Sequence, residues 1–235
     1  MNKQEHYRQE YRCLKPHWQD SLVIYRNLID SYTNSETKIL DIGCGHGDFL
    51  KSIHDKTIYS YGIDPDKEAL LKNTFIKNKT VGTVEKLPFE SNSFDLVVSA
   101  WVLEHLQDSQ KAFQEIFRVL KPNGKVVFLT PNVWNYNVWI IRLIPEKFHS
   151  FFTRKLYDRQ EHDTYPKLYK INSVKKIVKT LEPIGFKKSQ FVLNGDPSYT
   201  SFNSILFKFA CLLERILDWK PLRFAKVHII GVYEK

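Results

Sequence analysis

Cysteine is scarce in this chain, whose 235 residues include only Cys13, Cys44 and Cys211. Three cysteines at such distant spacings form neither a disulfide framework nor a zinc-binding pattern, and they point weakly to a reducing, cytoplasmic location. Long apolar runs are also missing. No window of about 18 uncharged apolar residues occurs, so no segment is predicted to span a membrane. Residues 1–12 are polar throughout, and we expect no secretory signal there.

Acidic residues are fewer than basic residues. Lys and Arg number 35 against 26 Asp and Glu, which gives a formal net charge of +9. This excess favours acidic partners such as nucleic acid, anionic lipid or a phosphorylated substrate. The basic residues are dispersed, however, and no run of five or more occurs, so we expect no dedicated nucleic-acid surface.

Strand and helix patterns alternate through the first half of the chain. Apolar, β-rich runs predict seven strands, at residues 37–43, 57–64, 80–84, 94–100, 125–132, 187–195 and 226–235. Strands that are apolar almost throughout are typical of a parallel sheet with helices on both faces. The sequence therefore predicts an α/β fold built on a doubly wound, mostly parallel, Rossmann-like sheet, in which ligands bind at the carboxyl ends of the strands.

The chain shows no linker-like composition, and residues 1–235 are predicted to form a single domain. Within it, residues 1–36 are a helical N-terminal segment and residues 37–132 are the ligand-binding core. Residues 133–170 form an insertion that would cover the site as a lid. Residues 171–235 contain an amphipathic helix and the last strands.

Glycine is rare too, with nine residues, yet Gly43, Gly45 and Gly47 stand at every second position of ILDIGCGHGDFL. The first strand ends there and a helix is predicted over 46–54. The glycines therefore permit a tight turn and let a ligand approach bare backbone beside unpaired N–H groups. Asp64 follows 21 positions after Gly43, where a carboxylate can accept both hydroxyls of a ribose. A simple turn and a helix N-cap are the alternatives, but together the two features favour a nucleoside-type ligand.

Four segments, in this order, resemble the class I S-adenosylmethionine-dependent methyltransferases: DIGCGHGDFL, GIDPD, VEKLPFESNSFDLVVSAWVLEHL and FRVLKPNGKVVFLTPN. The resemblance covers residues 38–132. It implies an enzyme with S-adenosylmethionine as cofactor and S-adenosylhomocysteine as product. It also implies that the last strand of the sheet runs antiparallel.

The resemblance carries cofactor-binding roles to Asp41, Gly43, Gly45, Gly47, Asp64, Thr83, Val84 and Ala100. The three glycines would line the methionine part, and Asp41 would hold its amino group, directly or through water, with Ala100 nearby. Asp64 would bind the ribose, while Thr83 and Val84 would lie beside the adenine. The family often has Asp at the position of Thr83. A hydroxyl accepts more weakly than a carboxylate, so we expect looser cofactor binding.

His105, His162 and His46 are candidates for a general base, which an oxygen or nitrogen acceptor needs when it loses a proton. His46 lies inside the glycine loop, where contact with the cofactor or simple exposure is favoured over base chemistry. His105 follows the fourth strand in WVLEHL and would be near the transferred methyl. His162 lies in EHD, where a carboxylate could orient it. A structural histidine and a surface loop are the respective alternatives. No metal-ligand spacing is apparent around them, and no metal is predicted.

The aromatic residues of 133–170 favour an apolar or glycan-like acceptor, and the interleaved Arg and Lys residues could bind a phosphate or carboxylate on it. The same rings could simply pack the lid. Residues 202–219 form a helix with an apolar stripe: Phe202, Ile205, Leu206, Phe209, Leu213, Ile216 and Leu217. This stripe would pack on the core, form a homodimer contact or dock on an anionic membrane surface. A monomer and a homodimer both remain open.

The sequence thus predicts a methyltransferase that acts on a small-molecule or lipid- or glycan-linked acceptor, with oxygen favoured over nitrogen and carbon. An RNA methyltransferase and a non-catalytic protein that binds S-adenosylmethionine are the alternatives.

Overall fold

The computed structural model describes residues 3–137, 166–201 and 203–235. Within these ranges the strands are β1 Ile39–Ile42, β2 Ser60–Asp64, β3 Asn78–Val81, β4 Phe94–Ala100, β5 Leu120–Pro131, β6 Lys187–Asn194 and β7 His228–Glu234. The α-helices are α1 Lys3–Leu14, α2 Ser21–Ser31, α3 Lys51–His54, α4 Lys67–Lys72, α5 Ser109–Val119, α6 Val174–Leu181 and α7 Ser204–Ile216. Short 3₁₀ turns occur at Leu103–His105, Glu182–Ile184, Pro197–Thr200 and Lys220–Ala225.

The strands form one sheet in the order β3-β2-β1-β4-β5-β7-β6. Strands β1 to β5 pair in parallel, whereas β7 runs antiparallel to both β5 and β6. The predicted fold class, including the antiparallel last strand, is confirmed. Strand order reverses at β1, which has β2 on one side and β4 on the other. In such sheets ligands bind at this switch point.

Both faces of the sheet are covered, as the apolar strands predict. On one face, Phe113 and Ile116 of α5 pack with Ile177 of α6 in a buried cluster. On the other face, Tyr25 and Ile29 of α2 pack in a second cluster, which alternate residues of β4 and β5 complete. The carboxyl ends of the strands remain uncovered by these helices, which leaves room there for a site.

One predicted helix start is wrong, because the helix expected over 46–54 begins only at Lys51. Helix α4 begins after Asp66, its N-cap, whose carboxylate accepts from the N–H groups of Glu68 and Ala69.

Helix α7 exposes part of the apolar stripe that the sequence predicts. Its buried residues are Phe207, Ala210 and Glu214, whereas Ile205 is 79% exposed and Phe209 is 60% exposed. The prediction that this stripe packs on the core is therefore wrong for these residues. Among the described helices, none has the length and hydropathy that crossing a bilayer requires.

Candidate active site

The glycine loop follows β1 and is tied to the neighbouring strand. Gly43 has a φ of +70° and Gly45 a φ of +47°, in the left-handed region that favours glycine. The Gly43 N–H donates to the carbonyl of Ile63 over 2.8 Å. A Cβ at Gly43 would lie 2.2 Å from Val102 Cγ2, a contact closer than two atoms tolerate. This position therefore requires glycine as long as Val102 packs against it.

Asp64 ends β2 and faces the same loop. Its Oδ2 accepts from the Gly45 N–H over 2.9 Å, and its Oδ1 accepts from the Asp66 N–H over 2.8 Å. Burial raises the pKa of Asp64, while these two N–H donors act in the opposite direction. Each carboxylate oxygen has two lone pairs, so acceptor capacity remains for a pair of ligand hydroxyls.

A cavity of about 1140 Å³ opens at the carboxyl ends of β1, β2 and β4. Cavities of roughly 300–1,000 Å³ suit one drug-sized ligand, so this volume has room for a nucleoside cofactor and an acceptor together. The predicted cofactor residues that line it are Gly43, Asp64, Thr83, Val84 and Ala100. The structure thus brings residues from four separate loops and strands to one wall.

The other three predicted cofactor residues do not line this cavity. Gly45 lies behind Asp64 and holds it in place. Gly47 has open space around its Cα, with nothing within 4 Å of an added Cβ. Asp41 is buried, and its Oδ2 lies 3.1 Å from Nε2 of His54. Their cofactor roles stay predictions.

Asp41 belongs to a buried chain of polar side chains that sequence reasoning missed. A carboxylate oxygen can only accept, so the Nε2 of His54 donates to Asp41. The His54 Nδ1 then accepts from the Ser60 hydroxyl over 2.6 Å. This chain joins β1, α3 and β2 beneath the glycine loop and fixes the carboxylate of Asp41 from below.

His105 lies in the 3₁₀ turn after β4 and lines the cavity. Its Nδ1 is 3.0 Å from the carbonyl oxygen of Pro166. Because a carbonyl only accepts, Nδ1 carries the proton, and in a neutral ring Nε2 is then an acceptor. Another candidate base, His162, lies outside the described residues, as does most of the predicted lid.

Glu104 is a second ionisable group at this point of the cavity, and it is 4% exposed. Burial raises the pKa of its carboxyl group, and its Oε2 accepts from the Thr130 hydroxyl over 3.3 Å. Its backbone carbonyl accepts from the N–H groups of Leu168 and Tyr169. These bonds bring Tyr169 to the cavity wall.

The far wall of the cavity contains Trp101, Tyr199 and His228. The His228 ring centre lies 5.0 Å from that of Trp101 and 5.3 Å from that of Tyr199, both edge to face. Burial lowers the pKa of His228 to about 3, so the imidazole is neutral at ordinary pH. Trp101 has a φ of +61°, a strained conformation for a bulky residue that is typical of functional sites.

Sequence reasoning missed this far wall. The signal for His228 is a lone histidine in the apolar strand KVHIIGVY. Tyr199 carries no comparable signal, because its position depends on the turn Pro197–Thr200 folding back toward β7.

The residues present fit S-adenosylmethionine, the cofactor that the resemblance implies. Glycine at position 43 keeps the backbone of the loop bare, and Asp64 presents unused acceptor capacity to the cavity. In the described ranges, no group of three or more His, Cys, Asp and Glu residues is placed to hold a metal ion.

Comparisons with known proteins agree with this geometry. Residues 40–128 match the family model described as Methyltransferase domain. An uncharacterized methyltransferase of Schizosaccharomyces pombe is 35% identical over 113 residues, which are 40% of this chain and 40% of that protein. A demethylmenaquinone methyltransferase of Chlorobaculum tepidum is 25% identical over 168 residues, which are 66% of this chain and 68% of that protein. The chain spans 40–47% of the length of the first curated relatives that it matches.

Solved structures share the fold. An S-adenosylmethionine-dependent methyltransferase from Mesorhizobium loti superimposes with a TM-score of 0.56 at 18% identity, over 89% of this chain and 96% of that one. The matched residues 40–128 contain the glycine loop, Asp64 and His105, on the cofactor side of the cavity described above. Residues 40–128 therefore form a methyltransferase domain of the class I S-adenosylmethionine-dependent type, whose cofactor is S-adenosylmethionine.

Proposed function

We propose that this protein transfers the methyl group of S-adenosylmethionine to an oxygen atom of a small or lipid-linked acceptor that carries a flat or apolar group. The observation that carries this proposal is the continuity of one cavity. It runs from Asp64 at the cofactor wall to Trp101, His105 and His228 at the far wall. Room for an acceptor therefore adjoins the predicted methionine end of the cofactor site.

The far wall supports an acceptor with a flat or apolar part. The rings of Trp101 and Tyr199 offer apolar area, and the neutral imidazole of His228 between them adds no charge. Asn137 also lines the cavity. Its buried Oδ1 has no hydrogen-bond partner among the described residues, so it is placed to accept from a hydroxyl or amine of the acceptor.

His105 supports chemistry at a hydroxyl group. When bound, S-adenosylmethionine supplies a methyl group on a positively charged sulfur. His105 Nε2 would accept the proton that the acceptor hydroxyl loses as its oxygen–carbon bond forms. The hydrogen bond from Nδ1 to Pro166 holds the ring in the tautomer that this step needs. The cavity walls would align the acceptor with the methyl group, and such positioning can supply a large part of the barrier reduction.

One relative suggests a type of ring compound to test first as the acceptor. The Chlorobaculum tepidum protein is named for demethylmenaquinone, a quinone with a flat ring. A quinone-like or phenolic acceptor fits the ring-lined wall. The low identity makes this a guide to the first compounds to test.

The test combines calorimetry with an acceptor assay. S-adenosylmethionine and S-adenosylhomocysteine should bind with one site each, and NAD should not. The purified protein should then transfer labelled methyl to phenolic or quinol compounds. Binding of NAD alone would refute the proposal. Labelling of RNA with a steep dependence on salt, and of no small molecule, would favour the RNA alternative.

A further inference from the structure

Helix α7 and the turn after it expose a continuous set of large apolar side chains. We call this set the α7 face. It consists of Ile205, Leu206, Phe209, Leu212, Ile216, Trp219 and Phe224, which are 79%, 41%, 60%, 56%, 49%, 67% and 54% exposed. Exposed apolar side chains are ordinary when scattered, but a contiguous group of this size indicates an interaction site.

Within residues 3–137, 166–201 and 203–235, α7 packs through its opposite side. The opposite side of α7 is fully anchored: Phe207 stacks on Tyr7 of α1 at 4.8 Å, and Leu217 packs with Tyr136 and Val227. The helix start is capped by Asn203, whose side chain accepts from the N–H groups of Ile205 and Leu206. Contacts on the opposite side of α7 therefore hold the helix in place, and the α7 face points away from them.

The exposed charged side chains of α7 and the turn after it are positive. Lys208, Arg215, Lys220 and Arg223 are all exposed within the same stretch. Two acidic residues occur between 203 and 225, and both are engaged. Glu214 is buried against Lys226, and Asp218 pairs with Lys15 and Lys226. An apolar surface bordered by cations, with Trp and Phe among its side chains, is the pattern of helices that lie in the headgroup region of anionic membranes.

From this pattern we infer that the α7 face docks on the surface of an anionic lipid bilayer. A second copy of the chain fits less well. A twofold contact brings the same patch together from both partners, and the acids of this stretch, Glu214 and Asp218, are already paired and would not compensate the doubled positive charge. The short α7 would lie along the membrane plane, since it spans only Ser204–Ile216. This inference rests on the surface alone and is independent of the proposed reaction.

Docking would also place the cavity near the lipid. Leu213 and Leu217 of α7 share a buried cluster with Tyr199 and Val227, and the latter two residues line the cavity. The cavity therefore lies behind α7, one helix diameter (~10 Å) from the α7 face.

The experiment is co-sedimentation of the full-length protein with vesicles. The vesicles are phosphatidylcholine alone or an equimolar mixture with phosphatidylglycerol. We expect strong binding to the mixture, little binding to phosphatidylcholine, and loss of binding as salt screens the cations. Phe209→Glu with Trp219→Ala should weaken the partition at least about tenfold. Lys208→Gln with Arg215→Gln should reduce binding to the anionic vesicles only.

Matched controls lie elsewhere on the surface. Ile58→Ser removes an apolar side chain that is 65% exposed, and Lys67→Gln with Lys72→Gln removes two exposed cations of α4. These variants should bind like the wild type, and all variants should keep its melting temperature. The inference is overturned if the wild type ignores the mixed vesicles or if the controls lose binding equally. It is also overturned if sedimentation velocity without lipid shows a dimer that Phe209→Glu dissociates.

Discussion

Asp64 links the glycine loop to the cavity. Replacing it with Ala removes the acceptors of the Gly45 and Asp66 N–H groups together with the proposed ribose contact. We expect affinity for S-adenosylhomocysteine to fall by about 1.5–3 kcal/mol, the scale of hydrogen bonds to a charged group. Calorimetry measures this change. Asp66→Ala is the neighbouring control. It removes the N-cap of α4 and should cost about 1 kcal/mol of stability but little affinity. Unchanged affinity in Asp64→Ala would disprove the ribose role.

Gly43 and Gly47 form a matched pair within one loop. Gly43→Ala forces a Cβ toward Val102 Cγ2 at a positive φ, whereas Gly47→Ala meets nothing and has no such φ. We expect the first substitution to destabilise the protein by more than about 1 kcal/mol and to weaken cofactor binding. The second should change either quantity by no more than about 0.5 kcal/mol. Urea unfolding and calorimetry test both. Equal effects at the two positions would show that the loop rearranges freely.

A substitution at His105 tests the catalytic step separately from cofactor binding. In His105→Gln the proposed base is lost while most of the side-chain volume remains. Turnover should fall by about 10²–10⁴-fold, and affinity for S-adenosylhomocysteine should stay near the wild-type value. Single-turnover kinetics with an identified acceptor is the measurement. His17→Gln, at an exposed histidine of the N-terminal segment, serves as the control. If turnover is retained, alignment alone carries the catalysis, or His162 supplies the base.

At the scale of elements, the sheet could be predicted and the orientation of α7 could not. The runs that become β1, β2, β4 and β5 could be predicted from their mostly apolar composition, because a strand that is buried on both faces carries few polar residues. The orientation of α7 depends instead on Glu214. This charged residue would ordinarily mark the exposed side, but it is 0% exposed because Lys226 neutralises it. A pair formed between separate elements leaves no periodic signal in the sequence.

The candidate site likewise contains residues that could be predicted from the sequence and residues that could not. Local motifs predict Gly43, Asp64 and His105, because strand ends in a parallel sheet converge at one edge. Trp101, Tyr199 and His228 come together only because β7 inserts beside β5 and the turn Pro197–Thr200 packs against α1 and α7. Such a meeting of distant segments is a property of the tertiary fold, and one sequence does not encode it in any short pattern.

The Glu214–Lys226 pair should therefore be essential to how α7 packs. Both side chains are nearly fully buried, and Lys226 Nζ also donates to the Glu214 carbonyl over 3.0 Å. Lys226→Met leaves a buried carboxylate without its cation and should destabilise the protein by about 3–5 kcal/mol at pH 7. Burial already raises the pKa of Glu214, so protonation should relieve part of this cost as the pH falls. Lys51→Met, at an exposed pair with Asp55, should cost less than about 1 kcal/mol. Similar losses in the two variants, measured by chemical denaturation, would contradict the buried-pair interpretation.

For the whole molecule, one polar network connects the N-terminal helix to the far wall of the cavity. Arg8 of α1 pairs with Asp196 at 2.9 Å and with Asp20 at 3.2 Å, and its guanidinium lies over the ring of Tyr199. Ser21, which follows Asp20, shares a hydrogen bond with Nδ1 of His228 over 2.9 Å. Helix α1 thus holds in place the residues behind the far wall. The packing of α1 and the shape of the cavity therefore depend on each other.

His228 makes this arrangement sensitive to acid. Its pKa is about 3 in the folded protein, because burial and the nearby Arg8 outweigh the attraction of Asp20, against an ordinary value of 6.5. Below about pH 6.5 the imidazole of His228 binds a proton in the unfolded chain but not in the folded protein. The stability that His228 contributes is therefore present above about pH 6.5 and is lost at about 1.4 kcal/mol per pH unit as the pH falls toward 3. Between pH 6.5 and pH 4.5 this loss amounts to about 2 kcal/mol.

His228→Gln isolates this contribution from the other titrating groups, since glutamine has no charge to gain. The variant is expected to be less stable than the wild type at pH 7, and the difference in unfolding free energy should shrink as the pH falls to 4.5. Urea unfolding across this range gives the difference directly. In the wild type, the imidazole resonances of His228 should keep the shifts of a neutral ring down to about pH 4. Parallel pH profiles for the two proteins, or a His228 resonance that titrates near pH 6.5, would show that the ring is reached by water and that the far wall is open in solution.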